Sequence, residues 1–493
     1  MKAAMFYSII KLSLLLRTSL ARSLFTLCIL AHTTSSLAQQ PVDLSPSVSG
    51  NAVASPIVLM SKSPAEAAIN SRESQLDLTV PKTAQVVQDR LDIATAVKLA
   101  VNNYPSVKEA IGRLYEQTEQ VDVAKSGYYP QVGAGISNGY RSSTGRSEQA
   151  FTVSASQMIY DFGKVASLVN IAEFGVDRNY AVVLKAVDDL VRDTGLAFIE
   201  VQRYESLLDI AAKQIVAISE LEALAQKRVE MGASSRSDEL QAHSRVENAI
   251  ALKLQLNAEL DVWKRTLQDF LGTNRQASTQ LDFPAYLYEA CSAGTDDFTK
   301  VPEIMIAEAD RAEAIAAIER SETEFYPTVS LDANLDYFAN RADTNSTLSD
   351  QDVSATINVK SSLYQGGAMS ARKRSAEYAL RAVVAAKDTA YLDVTRRLSD
   401  AKDKTRNFHA RLNNLDARYD TIVKTQALYR IQYLSLGTRT LLDILNTEQE
   451  IHQAMFDQQN TRHDLRRLQI DCLHSIGGLR EAFIIDEQVD LQP

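Results

Sequence analysis

The chain has 493 residues, of which 45% are hydrophobic and 23% charged, and its formal net charge is −10. This acidic balance argues against nucleic-acid binding, which requires a concentrated basic face. Beyond the N-terminal segment, no apolar run reaches the roughly 18 residues of a transmembrane helix, so such a chain would have to cross a membrane with strands.

The N-terminal 38 residues are typical of a secretory signal peptide. They contain four basic and no acidic residues, an apolar stretch at 23–31 that is too short to span a bilayer, and small residues at Ser36 and Ala38 for a signal peptidase. A short membrane anchor is the alternative. Cys28 lacks the small neighbours of a lipidated cysteine, so we expect no lipid anchor. Cleavage leaves 48 basic and 62 acidic residues, a charge of −14.

The rest of the chain divides into a leader and two similar halves. Residues 39–90 are rich in Ser, Pro, Gln and Ala without periodicity, as in an extended or disordered leader. Prolines spaced by 25 residues and glycines spaced by 40 then recur in the same order: Pro105 and Pro130, Pro302 and Pro327, then Gly232 and Gly272, Gly437 and Gly477. We therefore predict a duplicated unit over 91–272 and 301–477, with a linker (273–300) and a C-terminal tail (478–493).

Each repeat contains a predicted β-hairpin, over about 130–162 and about 327–365. Period-two alternation in the second repeat places apolar and polar side chains on opposite faces of a strand. The alternating positions are Val329, Leu331, Ala333, Leu335 and Tyr337 against Ser330, Asp332, Asn334 and Asp336. Aromatic residues cluster at the strand ends, as at the two interfaces of a bilayer. Two ordinary hairpins on a soluble sheet are the alternative.

Two long helices follow the hairpins, over 164–231 and 368–436. Neither contains a proline, and at about 1.5 Å rise per residue each would be roughly 100 Å long. Apolar positions step by three and four residues, which is coiled-coil spacing. They include Val187, Leu190, Val201, Tyr204, Leu208, Ala211, Ile215 and Ile218 in the first helix, and Val394, Leu398, Ala401, Thr405, Phe408, Leu412, Leu415, Tyr419, Ile422, Gln426 and Tyr429 in the second. With their return helices, they predict antiparallel coiled-coil hairpins over about 164–271 and 368–476.

The turns at the ends of these hairpins match each other. Gly232 and Gly437 can each supply the left-handed residue that ends a helix. A hydroxyl residue follows each glycine by three positions and an aspartate by six: Ser235 and Asp238 in the first turn, Thr440 and Asp443 in the second. This spacing predicts a capping box at the start of each return helix, with Asp in place of the usual Glu.

The four strands of one chain cannot close a barrel, and an open sheet edge is not tolerated in lipid. Because such barrels need at least about eight strands, several chains would have to share one, and three chains would supply twelve. We therefore predict a mainly α fold with β structure. Its duplicated helix–β-hairpin–long helix–helix unit would assemble as a trimer, forming a 12-stranded β-barrel continuous with a periplasmic α-helical barrel.

The sequence resembles the TolC family of outer-membrane efflux and type I secretion channel-tunnels over roughly residues 90–480. The similar segments are LDIATAVKLAVNNYPSV (91–107), the two Tyr-Pro pairs that begin the strands, LYQGG (363–367) and LGTRTLLDILNTEQE (436–450), which lies at the periplasmic tip in the family. The resemblance implies a homotrimer in outer-membrane lipid, with 273–300 at its equator, that serves as a passive exit duct. It implies a periplasmic adaptor (membrane fusion protein) and an inner-membrane transporter as partners, no cofactor and no enzymatic activity.

The resemblance also assigns residues to a periplasmic gate. Arg439 and Asp238 match the basic and acidic members of a link between neighbouring hairpins that keeps the tip closed. Ser237 stands where the family archetype has a threonine in the same network, and Asp443 matches an acidic residue that lines the constriction. Two positions depart from the archetype: Leu434, next to Tyr433, replaces a tyrosine, and Asn446 replaces a second aspartate. The strength and charge selectivity of the gate therefore stay open.

No catalytic, nucleotide-binding or metal-binding motif is visible in the sequence, and the histidines are scattered without metal-ligand spacing. The main alternative function is a periplasmic adaptor or a coiled-coil structural protein. Adaptors normally carry one long hairpin between β-domains, whereas this chain carries a duplicated unit. The cargo of a duct is not readable from the sequence, and neither is the identity of its adaptor or transporter.

Two cysteines, Cys291 and Cys472, remain after cleavage. We expect them near the same equatorial level, because one lies just beyond Gly272 and the other just before Gly477. They could pair in an oxidising compartment, but we favour two free thiols.

Overall fold

The computed structural model describes residues 90–141, 146–272, 278–279, 283–292, 297–339 and 350–485. The predicted signal peptide and, except for Arg90, the predicted leader lie outside the described residues, as do parts of the linker and residues 486–493. All described residues belong to one unit, Gln85–Pro493.

A helix, a β-hairpin, a long helix and a return helix follow one another in the same order in the two halves. The first half contains β1 (Arg90–Leu91), α1 (Ile93–Asn103), α2 (Pro105–Lys125), β2 (Gln131–Arg141), β3 (Arg146–Tyr160), α3 (Lys164–Glu230) and α4 (Arg236–Leu271). After β4 (Ser278–Thr279), the second contains α5 (Pro302–Thr323), β5 (Thr328–Phe338), β6 (Gln351–Lys360), α6 (Ala368–Ile431), a π-helical turn (Gln432–Leu436), α7 (Leu441–Ser475) and α8 (Leu479–Ala482). The predicted fold class, a mainly helical chain with a duplicated helix–hairpin–long helix–helix unit, is confirmed.

The two β-hairpins form one antiparallel sheet in the order β2-β3-β5-β6. Strands β3 and β5 join the repeats, with Ala155 opposite Ala333. The polar face carries hydrogen bonds between strands: Ser156 Oγ donates to Asp332 Oδ1 at 2.5 Å, and Thr152 Oγ1 donates to Asp336 Oδ1 at 2.5 Å. The predicted alternation therefore gives the sheet one polar and one apolar face.

The long helices α3 and α6 contain 67 and 64 residues. Helix α3 packs on α4, α6 packs on α7, and contacts between α3 and α7 join the two coiled-coil hairpins side by side. The predicted heptad of α6 is confirmed, since its buried residues are Val394, Leu398, Ala401, Thr405, Leu415 and Ile422. Among the described helices, none has an apolar stretch long enough to cross a membrane.

The largest core lies where α1, α3, α4 and α7 meet. It includes Ile93, Phe198, Leu267, Ile470 and Phe483, and the C-terminal helix α8 contributes Leu479 together with the buried Arg480.

A buried ion pair holds α8 in this core. Arg480 Nη1 donates to Asp188 Oδ2, and Arg480 Nη2 donates to the Lys300 carbonyl at 3.1 Å. Burial raises the pKa of Asp188 to about 6, against the lowering effect of Arg480. The pKa of Asp189 is instead lowered to about 2, because hydrogen bonds from His474 and Lys185 outweigh its burial.

A disulfide joins Cys291 to Cys472, with the two Cα atoms 5.2 Å apart. The expectation that the two cysteines lie at one level is confirmed, and the preference for free thiols is wrong. The sequence could not decide between a disulfide and two free thiols, because the two cysteines are 181 residues apart and no local pattern indicates that they pair. The bond lies in a hydrophobic cluster with Leu398, Ala401 and Leu468 and ties the segment 283–292 to α7.

Candidate functional site

Glycine ends each long helical stretch at the hairpin tips. Gly232 and Gly437 have φ values of +71° and +64°, a backbone conformation that residues with a Cβ rarely adopt. The first turn closes with the Ala233 N–H donating to the Arg228 carbonyl at 2.7 Å. The predicted left-handed turns are confirmed at both glycines.

Both predicted capping boxes are present. The Asp238 N–H donates to Ser235 Oγ at 3.3 Å, and the Ser235 N–H donates back to Asp238 Oδ2 at 3.2 Å. In the second turn the Asp443 N–H donates to Thr440 Oγ1 at 3.3 Å, and the Thr440 N–H donates back to Asp443 Oδ2 at 3.0 Å. Each box satisfies N–H groups that the first turn of a helix leaves without partners.

These bonds lower the pKa of both carboxyl groups. A hydrogen bond from Ser234 is the main cause that lowers the pKa of Asp238, with the Ser235 bonds adding to it. The Thr440 backbone N–H is the main cause that lowers the pKa of Asp443. Two partly exposed carboxylates therefore lie at the start of the return helices.

Arg439 contacts its own hairpin. Its guanidinium carbon lies 4.2 Å from the centre of the Tyr429 ring, its Nε donates to Gln432 Oε1 at 3.2 Å, and its Nη1 is 4.0 Å from Asp443 Oδ2. Ser237 Oγ shares a 2.7 Å hydrogen bond with Ser235 Oγ. Within the described part of a single chain, no ion pair joins Asp238 to Arg439, so the predicted link between neighbouring hairpins stays a proposal for contact between chains.

Asn446 has a partner that sequence reasoning missed. Arg245 Nη2 donates to Asn446 Oδ1 at 3.3 Å, and Arg245 Nη1 donates to Gln449 Oε1. Arg245 lies on α4 and both amides lie on α7, so this contact joins the two hairpins. Nothing in the sequence pattern indicates which face of α4 meets α7.

A second missed pair lies at the turns themselves. The Arg228 guanidinium carbon is 4.5 Å from the centre of the Tyr433 ring. A signal for this pair exists in the repeat, because each residue stands four positions before its turn glycine, Gly232 or Gly437. The neighbouring Leu434, at the position where the family archetype has a tyrosine, is exposed.

In the ranges that the structure describes, no group of three or more His, Cys, Asp or Glu residues could hold a metal ion. The site consists of capped turns, charged side chains and aromatic rings, which can hold helices together.

Long coiled-coil hairpins that continue from a small two-faced sheet are the architecture of an outer-membrane channel-tunnel subunit. The sequence model of the outer membrane efflux protein family matches residues 96–273 and 300–477. The chain therefore belongs to the outer membrane efflux protein family, and it is a protein of the outer membrane that extends into the periplasm. This membership does not support the alternative interpretation as a periplasmic adaptor.

Relatives and solved structures agree with this assignment. Outer membrane protein TolC of Vibrio cholerae is 21% identical, covering 81% of this chain and 94% of that protein. Outer membrane efflux protein BepC of Brucella suis is 23% identical, covering 80% and 87%. The structure of the outer membrane protein VceC from Vibrio cholerae matches with a TM-score of 0.69 at 18% identity, covering 78% of this chain and 96% of that chain. The similarity to the VceC structure confirms the fold.

Proposed function

We propose that this chain is one of three identical subunits of a passive exit duct that serves a tripartite efflux pump or a type I secretion system. Three sheets would close a 12-stranded barrel in outer-membrane lipid, and the paired hairpins would form a tunnel in the periplasm. A periplasmic adaptor and an inner-membrane transporter would open the tips. The transporter, rather than the duct, would mainly select the cargo.

The open edges of the sheet carry this proposal. In the described sheet, β2 pairs only with β3 and β6 pairs only with β5, so each edge strand has backbone groups available to another chain. Unpaired edges are not tolerated in lipid, which favours closure by further copies. Val132, Ile136, Val353 and Ile357 on these strands are exposed in the single chain, as expected of a surface that meets lipid.

Exposed apolar residues at the tips support a protein partner. Met231, next to the first turn glycine, is 72% exposed, and Leu436, next to the second, is 66% exposed. Apolar side chains that are this exposed at both turns would suit an interaction surface if they form one patch. The tips are therefore where we expect the adaptor to bind.

Assembly and conduction test the duct. Mass determination in mild detergent should give three copies of the chain, and the purified protein should conduct across a planar bilayer. A monomeric, water-soluble particle would contradict the proposal.

Charge reversal tests the gate. Asp238→Arg should raise conductance, and adding Arg439→Asp should partly restore the low-conductance state, because the exchanged pair can form again between chains. One partly exposed pair of this kind contributes only about 0–1 kcal/mol, but a trimer would contain three copies of it. Asp209→Arg reverses an exposed charge in the interior of α3 and serves as control. Equal conductance in all variants would contradict the assignment of Asp238 and Arg439 to a gate, but it would not contradict the proposed duct.

A further inference from the structure

The two β-hairpins of the sheet are built to the same register. Counted from the proline before each hairpin and from the glycine before each long helix, the same positions face each other where the strands meet the helices. The facing pairs are Gln131 opposite Ser156 and Thr328 opposite Lys360. Each position in one hairpin can therefore be assigned its counterpart in the other.

The last strand of the first hairpin is longer than that of the second. Strand β3 continues beyond Ser156 to Tyr160, whereas β6 ends at Lys360. The additional part of β3 pairs with β5 of the other repeat, and not with β2. Its counterpart after β6 is the segment 361–364, which lies outside the strand. Strand β3 is thus extended by a neighbour that β6 lacks within one chain.

The turns from these strands into the long helices have the same backbone conformation. Phe162 and Gly163 have φ values of +59° and +89°, and their counterparts Gly366 and Gly367 have +62° and +85°. Phe162 holds this conformation at a cost, since residues with a Cβ rarely adopt it. The space beside Gly366 and Gly367 is open in the described structure. The second turn is therefore already shaped like the first, but without its neighbours.

An aromatic cluster closes the first of these two junctions. The Phe162 ring stacks on Tyr326 with centroids 5.3 Å apart, and Tyr160 meets Phe162 edge-on at 4.6 Å. Because Tyr326 precedes β5, the cluster joins the end of β3 to the start of β5. The counterparts of Tyr160 and Tyr326 are Tyr364 and Tyr129, which are 85% and 67% exposed. One chain therefore carries half of such a contact beyond β6 and the other half before β2.

A β-bulge directs the first tyrosine of the cluster. The register of β3 shifts between Met158 and Tyr160, so Ile159 is the extra residue of the bulge. The shift places Tyr160 opposite Val329, on the apolar face of the sheet. Leu363 occupies the counterpart of the bulged position and is 91% exposed. We expect the same bulge beyond β6, which would turn the tyrosine that follows Leu363 to the apolar face.

We propose that residues 361–364 of one copy extend β6 by pairing with the start of β2 in the next copy, where Tyr364 contacts Tyr129. Gly366 in place of Phe162 leaves room for the two tyrosine rings to meet directly. This inference rests on the proposed function and specifies a contact between copies. The register of β3 on β5 gives the register between chains: Ser361 opposite Ala134, Ser362 opposite Gly133, and Tyr364 opposite Val132.

Cysteine pairs test this register. Cβ atoms that face each other across an antiparallel pair lie about 4.5–5.5 Å apart. In S361C/A134C, a short bifunctional thiol reagent should therefore join neighbouring copies, and a covalent trimer should replace the monomer band on a denaturing gel. S361C/N138C is the matched control, because a displacement of four residues along β2 separates the thiols by roughly 13 Å. The control should remain a monomer on the gel.

The mass of the particle in mild detergent separates failure of this inference from failure of the duct. A trimer in which the control pair links instead would have a different register, and a trimer in which neither pair links would leave 361–364 unpaired. Either result overturns the inference and leaves the proposed function intact. A monomeric particle would contradict the proposed function, and this inference with it.

Trimer stability tests the aromatic contact. Tyr364→Ala should lower the temperature at which the trimer dissociates in detergent, whereas Tyr364→Phe keeps the ring and should dissociate like the parent. Tyr129→Ala should lower it as well, and the double variant should lower it little further than the more affected single variant. An unchanged temperature in Tyr364→Ala, or fully additive single effects, would overturn the contact.

Hydrogen–deuterium exchange of the parent trimer tests the strand extension without any substitution. Backbone amides over 361–364 should exchange as slowly as those over 157–160, because both segments would be bonded to a neighbouring strand. A segment 361–364 that exchanges like an unfolded peptide in an intact trimer would overturn the inference.

Discussion

Removing the disulfide should strongly destabilise the packing of the segment 283–292 against α7. The bond spans 181 residues of sequence, and on the chain-entropy account a crosslink that closes such a loop contributes about 5 kcal/mol by restricting the unfolded chain. Both sulfur atoms lie in an apolar cluster, and Cys472 is fully buried. The variant C291A/C472A removes the bond and leaves no single thiol to react elsewhere.

Thermal unfolding of the purified protein in detergent measures this effect. The double variant should unfold at a clearly lower temperature than the parent, and Asp403→Ala, an exposed residue of α6, should unfold like the parent. Because unfolding of such an assembly need not be reversible, the unfolding temperatures of parent and variant are compared at one scan rate. An unchanged unfolding temperature would show that the disulfide does not stabilise the folded protein. Two alkylated cysteines in the unreduced, denatured mature chain would refute the bond itself.

Two further predictions concern charged groups. Arg480→Met should destabilise the protein by about 3–5 kcal/mol because it leaves the Asp188 carboxylate buried without its cation. Arg480 lowers the pKa of Asp188, so its removal lets that pKa rise above about 6. The carboxyl group of the variant is then neutral at pH 5 and needs no cation, whereas at pH 8 the buried charge opposes folding. The loss of stability should therefore be larger at pH 8 than at pH 5. The exposed Arg396→Ala is the control, with an effect under about 1 kcal/mol at either pH. Asp443→Ala should weaken cation preference in bilayer recordings, since Asp443 is ionised at neutral pH; unchanged selectivity would remove it from the constriction.

Local chemistry explains what could be predicted from the sequence. The capping boxes at Ser235 and Thr440 depend on residues three positions apart, so the chain itself specifies them. The heptad of α6 could be predicted because its buried residues recur at steps of three and four along one face of the helix. By contrast, Arg245 and Asn446 meet only because α4 and α7 pack at a particular rotation, and no local pattern fixes that rotation. The Cys291–Cys472 bond was undetermined for the same reason.

The unequal burial of the two long helices indicates how copies associate. Helix α3 buries 26 of its 67 residues and α6 only six of its 64, although duplication gave them the same place in the repeat. Within one chain α3 packs on α2, α4, α5 and α7, whereas α6 packs on α5 and α7, so α6 lies at an edge. Leu392 and Leu428 of α6 and Leu254 of α4 are more than half exposed in the single chain. Exposed apolar residues on α4 and α6 are what a subunit requires if the α4 edge of one copy is to meet the α6 edge of the next.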